Sequence, residues 1–254
     1  MAGITCTPTI DYKLVSITND PFLSLASKYY QPLLNLFITH KIINMNRQKT
    51  IYHFIVDKSG SMADVQHQTI TGYNEQLQQI QSTQRDFPGQ FITVGLTTFN
   101  GQVDHHYFGV PVKNAEWLST LTYKPDGSTS LLDAIGTSVH KLELQQASDI
   151  SLFDTTIVVI ILTDGYENSS RIFRLEEIRR TIGRLEETGK WTFSFIGATL
   201  DAVDIARQMD IKSRNSYSFN KASMKEEVWD KLGSSVRTYA DKKSKGENLE
   251  DLYN

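Results

Sequence analysis

The chain has 254 residues, 39% hydrophobic and 22% charged, with a formal net charge of -3. That length holds one large domain with at most a short appendage, and the mildly acidic balance offers no basic face for nucleic acid. Cys6 is the only cysteine, which excludes an intrachain disulfide and a cysteine metal cluster and suits a reducing, cytoplasmic setting.

Residues 1–48 read as an extension. Pro8, Pro21 and Pro32 interrupt them, and their most apolar run, 33–43 (LLNLFITHKII), is shorter than the ~20 residues a membrane span needs. No basic residue precedes Lys13, and no small-residue cleavage pattern follows an apolar core, so neither a secretory signal nor a membrane partner is expected. Two readings stay open: an amphipathic arm packed on the main domain, or an upstream extension with Met45 as the natural start.

Residues 51–56 (IYHFIV) have the apolar, β-branched pattern of a buried strand. Asp57-Lys58-Ser59-Gly60-Ser61 follows at its carboxyl end, where ligands bind in open parallel sheets. One carboxylate and two hydroxyls around a glycine suit a small hard cation such as Mg2+, although the same residues also make ordinary turns. Residues 63–82 form a helix by the spacing of Ile70, Tyr73, Leu77 and Ile80, with Gly72 read as close packing against the sheet. Pro88-Gly89 marks a turn and 91–99 a strand; Asn100-Gly101 predicts a two-residue hairpin, and 103–110 returns as an antiparallel edge. His105 and His106 then point to opposite faces, as solvated edge residues that do not share a metal. Residues 116–118 suggest a short helix or turn.

The loop 123–130 (YKPDGSTS) precedes a helix marked by Leu131, Leu132, Ile135, Val139 and Leu142. Its Thr129 hydroxyl either caps that helix or faces a cation. Asp126 is read as a turn residue in preference to an added acidic ligand. Residues 155–163 (TTIVVIILT) are a central parallel strand ending in Asp164-Gly165. A helix with Ile172, Leu175, Ile178, Ile182 and Leu185 stops at Gly189; then come a strand at 191–198, a short helix at 201–209 and a short strand at 216–219. Ser223-Met224-Lys225-Glu226 reads as a capping box opening the last helix, and 242–254 as a polar, frayed tail. This alternation predicts an α/β fold: a Rossmann-like, doubly wound, mostly parallel sheet with one antiparallel edge strand and helices on both faces.

Asp57, Ser59 and Ser61 in a D-x-S-x-S pattern, Thr129 in a glycine-containing loop, and Thr163-Asp164-Gly165 at a strand end together resemble the metal-ion-dependent adhesion site of von Willebrand factor A domains. The resemblance spans roughly 49–241 and leaves 242–254 as a tail. Many members carry two glycines before the threonine; this chain has Asp126-Gly127-Ser128-Thr129, so the loop ligand is Thr129 or Ser128. The resemblance implies that Ser59, Ser61 and Thr129 offer hydroxyl oxygens to Mg2+, with Mn2+ or Ca2+ as alternatives, while Asp57 and Asp164 act directly or through water. It also implies a non-enzymatic module that captures an Asp or Glu of a partner protein. In some members the last helix moves with the metal loops. The stretch 195–202 is most similar to bacterial or phage-type intracellular members. Lys58, between two candidate ligands, is read as solvated. The competing readings are a Mg2+-dependent phosphoester hydrolase and a purely structural metal site. Against hydrolysis, no phosphate-binding glycine loop or nucleophile elbow is present, and position 59 is Ser and not Asp.

Overall fold

The apolar runs predicted as strands line up side by side in the computed structural model, which describes residues 48–152, 154–198, 202–249 and 251–253. The amino-terminal extension and the Met45 start lie outside the described residues. The strands are β1 (Gln48–Asp57), β2 (Gln90–Phe99), β3 (Val103–Pro111), β4 (Asp154–Thr163), β5 (Trp191–Gly197) and β6 (Ser216–Ser218). They form one sheet in the order β3-β2-β1-β4-β5-β6. Every neighbouring pair is parallel except β2 and β3. The two central strands, β1 and β4, are buried along nine of ten residues, which is why their sequences are nearly unbroken hydrophobic runs. The chain leaves β1 toward β2 on one side, and β4 lies on the other. The carboxyl ends of β1 and β4 therefore flank the topological switch point, where open α/β sheets bind ligands.

Strand alternation divides the core into two layers. Tyr52, Phe54 and Val56 face α1 (Gln66–Asp86) and the carboxyl-terminal helix. Ile51 and Ile55 face α2 (Leu131–Leu152), α3 (Leu175–Glu186) and α4 (Ala202–Gln208). The expected first helix begins as a 3-10 turn (Gly60–Val65) before α1 takes over. Gly72 does sit at a close approach, but against a helix and not the sheet: a Cβ there would lie 2.1 Å from the Trp229 ring.

Four local expectations are corrected. The hairpin connection has three residues, because Phe99 pairs with Val103 and the Asn100 side chain closes the loop by accepting from the Gln102 amide at 2.9 Å. The last helix opens as a six-residue π-helix (Lys225–Asp230) before α5 (Lys231–Lys245). Its wider turn moves the capping acid one place on: Ser223 Oγ donates to Glu227 Oε1 at 2.8 Å, so Glu226 plays no such part. The edge histidines do point to opposite faces, but each is held by a threonine of β2, His105 Nδ1 by Thr97 at 3.0 Å and His106 Nε2 by Thr98 at 2.8 Å. His105 is half-buried, and desolvation lowers its pKa to about 4. Finally, the carboxyl-terminal segment docks where fraying was expected. Lys243 is buried and donates to the Lys49 carbonyl at 2.6 Å and to Thr156 Oγ1 at 2.8 Å. Leu252 and Tyr253 are buried, with the Tyr253 hydroxyl 2.7 Å from Ser194 Oγ; this apolar pair anchors an otherwise polar stretch.

Candidate metal centre

The register of β1 on β4 pairs Val56 with Leu162, so the next residues, Asp57 and Thr163, end level with each other. Thr163 Oγ1 donates to Asp57 Oδ2 at 2.5 Å, and the Ser59 amide donates to Asp57 Oδ1 at 2.6 Å. Ser59 Oγ lies 3.1 Å from Ser61 Oγ, and Ser61 Oγ donates to Asp164 Oδ1 at 2.6 Å. Four of the five sequence-predicted residues thus form one hydrogen-bonded chain across two strand ends. Backbone bonds fasten the third loop to them: Gly60 N–H donates to Gly127 O at 3.0 Å, Asp126 N–H to Lys58 O at 2.9 Å, and Ser130 N–H to Asn100 O at 2.8 Å.

Thr129, the fifth residue, closes the ring. The point where Gly165 would carry a Cβ lies 3.1 Å from Thr129 Oγ1, 3.4 Å from Ser61 Oγ and 3.5 Å from Asp57 Oδ2. The three loops therefore meet over a glycine, where any side chain would crowd their oxygens. Ser128, the alternative ligand, is exposed and faces the hairpin, its Oγ 2.8 Å from a Cβ position on Gly101. Asp126 is also exposed and takes part through its backbone, as a turn residue does.

Burial dominates the electrostatics. It pushes the Asp57 carboxyl up to about 6, against the pull of the Thr163 and Ser59 hydrogen bonds. The Asp164 side chain is fully buried, and its Oδ2 is in contact with the Lys221 ammonium. Among the described residues this is the ion pair that Asp164 makes, and the same ammonium also donates to the Ser61 carbonyl at 2.8 Å. Among the described residues no group of three or more His, Cys, Asp or Glu is placed to hold a metal ion. The set is two carboxylates and three hydroxyls, all hard oxygen donors. It fits a small divalent cation: the Asp57, Ser61 and Thr129 oxygens converge beside Gly165, and the buried Asp164 Oδ2 already draws a positive charge, the Lys221 ammonium.

Several supporting residues escaped the sequence reading. Tyr123 donates to the Asp57 carbonyl at 2.5 Å. Asn168 Oδ1 accepts from the Thr129 amide at 2.9 Å, and the Thr129 carbonyl accepts from Asn168 and Ser169. Glu167 accepts from the amides of Ser169, Ser170 and Leu132, so it braces the start of α2 from outside. The polar run Glu167-Asn168-Ser169-Ser170, directly after Asp164-Gly165, was the available signal. Lys58 is not free in solvent; it pairs with Asp104 of β3 at 2.6 Å, because the edge strand passes over the turn.

The family of von Willebrand factor type A domains matches residues 53–237. The chain belongs to this family. No curated protein matches this von Willebrand factor type A chain, but solved structures do. The ArnB paralog VWA2 from Sulfolobus acidocaldarius is 18% identical, with TM-score 0.48, over 73% of this chain and 45% of its own. Proximal thread matrix protein 1 of the mussel byssus, with a zinc-occupied MIDAS motif, is 13% identical, with TM-score 0.48, over 78% and 47%. The manganese-loaded TRAP protein of Plasmodium vivax is 15% identical, with TM-score 0.47, over 69% and 70%. This chain spans less than half the length of the first two. Among its described residues no helix is long and apolar enough to cross a membrane.

Proposed function

We propose that this von Willebrand factor type A chain is a metal-dependent protein-binding module that acts by capture and not by turnover. The observation that carries this reading is the convergence of the Asp57, Ser61 and Thr129 oxygens beside Gly165, all within 3.5 Å of the position a Cβ would take there. Asp57, Ser59, Ser61, Thr129 and Asp164 would hold the cation, with Mg2+ the expected ion and Mn2+ or Ca2+ as substitutes. Three of the five ligands are neutral hydroxyls; with the two carboxylates acting through water, a bound divalent ion keeps most of its charge and seeks one further anionic oxygen. An Asp or Glu side chain of a partner protein supplies such an oxygen. Exposed large apolar side chains lie on the segments that lead to or from the site: Leu121 is 80% exposed, Tyr166 56% and Ile172 69%. Large apolar side chains around a central charged contact are how interfaces exclude water. The lone Cys6 supports a cytoplasmic, reducing setting for this activity.

Two measurements test the reading. Calorimetric titration of the full chain with Mg2+ and Mn2+ should show saturable uptake that Asp57→Ala abolishes. Capture of a partner from the source extract should require the metal, reverse on chelation, and fail with Asp57→Ala. Absence of any metal uptake would remove the reading.

A further inference from the structure

The Lys221 ammonium stands where a cation is expected to act, and it belongs to the chain itself. Lys221 lies on a 3-10 turn (Lys221–Ser223) after β6, far along the chain from the loops it touches. It closes on the buried Asp164 Oδ2 and donates to the carbonyl of Ser61. Asp164 and Ser61 are two of the five candidate ligands. Their other contact joins them to each other, so Lys221 caps the one oxygen of Asp164 left for a positive charge.

We propose that Lys221 is the site's internal counter-cation, which a divalent metal must displace from Asp164 and which therefore sets metal affinity. This rests on the metal-binding reading above. An ammonium and a divalent ion repel each other at contact distance in a poorly solvated site, so they cannot share one carboxylate oxygen cheaply. The lysine also has somewhere to go: its side chain is 34% exposed against 0% for Asp164. Its turn lies between the buried Phe219 and Met224 and is itself held by polar contacts, among them Asn220 Oδ1 with the Ala222 amide at 3.0 Å and the Asn220 amide with Glu227 Oε2 at 2.7 Å. With the lysine in place, the buried Asp164 carboxylate is compensated in the metal-free protein. Once it leaves, the ammonium stands free at the rim, available to the partner's acid.

The test is metal titration of the full chain and of Lys221→Met, which keeps the aliphatic stem and removes the charge. Displacement predicts that Lys221→Met binds Mn2+ about tenfold or more tightly than wild type. Lys221→Arg, which keeps the charge, stays at or below wild-type affinity. Hydrogen exchange supplies a readout independent of affinity. Saturating Mn2+ should speed exchange of the amides at 221–224 in wild type, whereas in Lys221→Met they exchange fast with or without metal. Metal binding by Lys221→Met that is equal to or weaker than wild type, or unchanged or slower exchange at 221–224 in wild type, overturns the proposal while leaving the metal site standing. If neither protein takes up metal, both readings fall.

Discussion

Thr163 and Asp57 end adjacent parallel strands and are joined by a 2.5 Å hydrogen bond from hydroxyl to buried carboxylate. The threonine's partner is the same Asp57 oxygen that lies 3.5 Å from the Cβ position of Gly165. Thr163→Val keeps the shape and removes the donor, leaving a buried carboxylate with one fewer partner. The expected cost is about 1–3 kcal/mol of folding stability, read as a lower urea midpoint at unchanged slope. Metal affinity should fall as well, because the carboxylate loses the bond that orients it. A variant as stable as wild type would show that this bond carries little of the strand-end geometry.

Gly165→Ala isolates the site from the fold. Its backbone is not in the left-handed region, so alanine should change stability by less than about 1 kcal/mol. The new methyl, however, would sit 3.1 Å from Thr129 Oγ1 and within 3.5 Å of the Ser61 and Asp57 oxygens. Calorimetry should show metal uptake lost or weakened by more than about tenfold in a protein that melts normally. Wild-type affinity in this variant would place the cation elsewhere.

Position and chemistry of the site were legible for different reasons. Burial on both faces writes β1 and β4 as apolar runs, so Asp57 and Asp164 stand out as the polar residues that end them. Thr129 was legible only in company, since a hydroxyl before a helix is usually a cap; its distances to Ser61 and Asp57 follow from backbone bonds between loops that no periodicity encodes. Lys221 was out of reach for the same reason. It is one lysine in a polar turn, and only the return of the chain beyond β6 brings it to Asp164. The docking of Leu252 and Tyr253 hid behind composition, because two apolar residues in a charged stretch make no pattern.

Stability should also depend on pH through His53. The imidazole is fully buried between β2 and β3 side chains, bonded at Nε2 to Thr97 Oγ1 at 3.0 Å and stacked on Phe108 at 4.7 Å. Nδ1 has no partner. Burial first, then the nearby His105, lowers its pKa to about 3. The folded value lies below the unfolded one, so the unfolded chain binds the proton more readily. The contribution is complete above about pH 6.5, shrinks as pH falls, and is gone below about pH 3. Between pH 7 and 5 the loss attributable to this group is about 2 kcal/mol. Urea unfolding across that range should show the decline, and His53→Gln, though less stable at neutral pH, should show a shallower one. Equal slopes in the two proteins would mean that other groups govern the acid limb.

The contact between Gly72 and Trp229 ties α1 to the π-helical start of the last helix. The indole occupies the space a side chain at position 72 would need, and the neighbouring Gln76 Nε2 donates to the Trp229 carbonyl at 2.6 Å. Gly72→Ala would normally favour a helix by up to about 1 kcal/mol. Here the methyl would meet the ring at 2.1 Å, and overpacking of this kind costs about 1–3 kcal/mol, so the net effect should be destabilising. Trp229→Ala alone should cost about 3–5 kcal/mol from the cavity it leaves. In the double variant the clash is absent, so the two effects should combine to less than their sum. A thermodynamic cycle that closes additively would mean the ring is not what excludes a side chain from position 72.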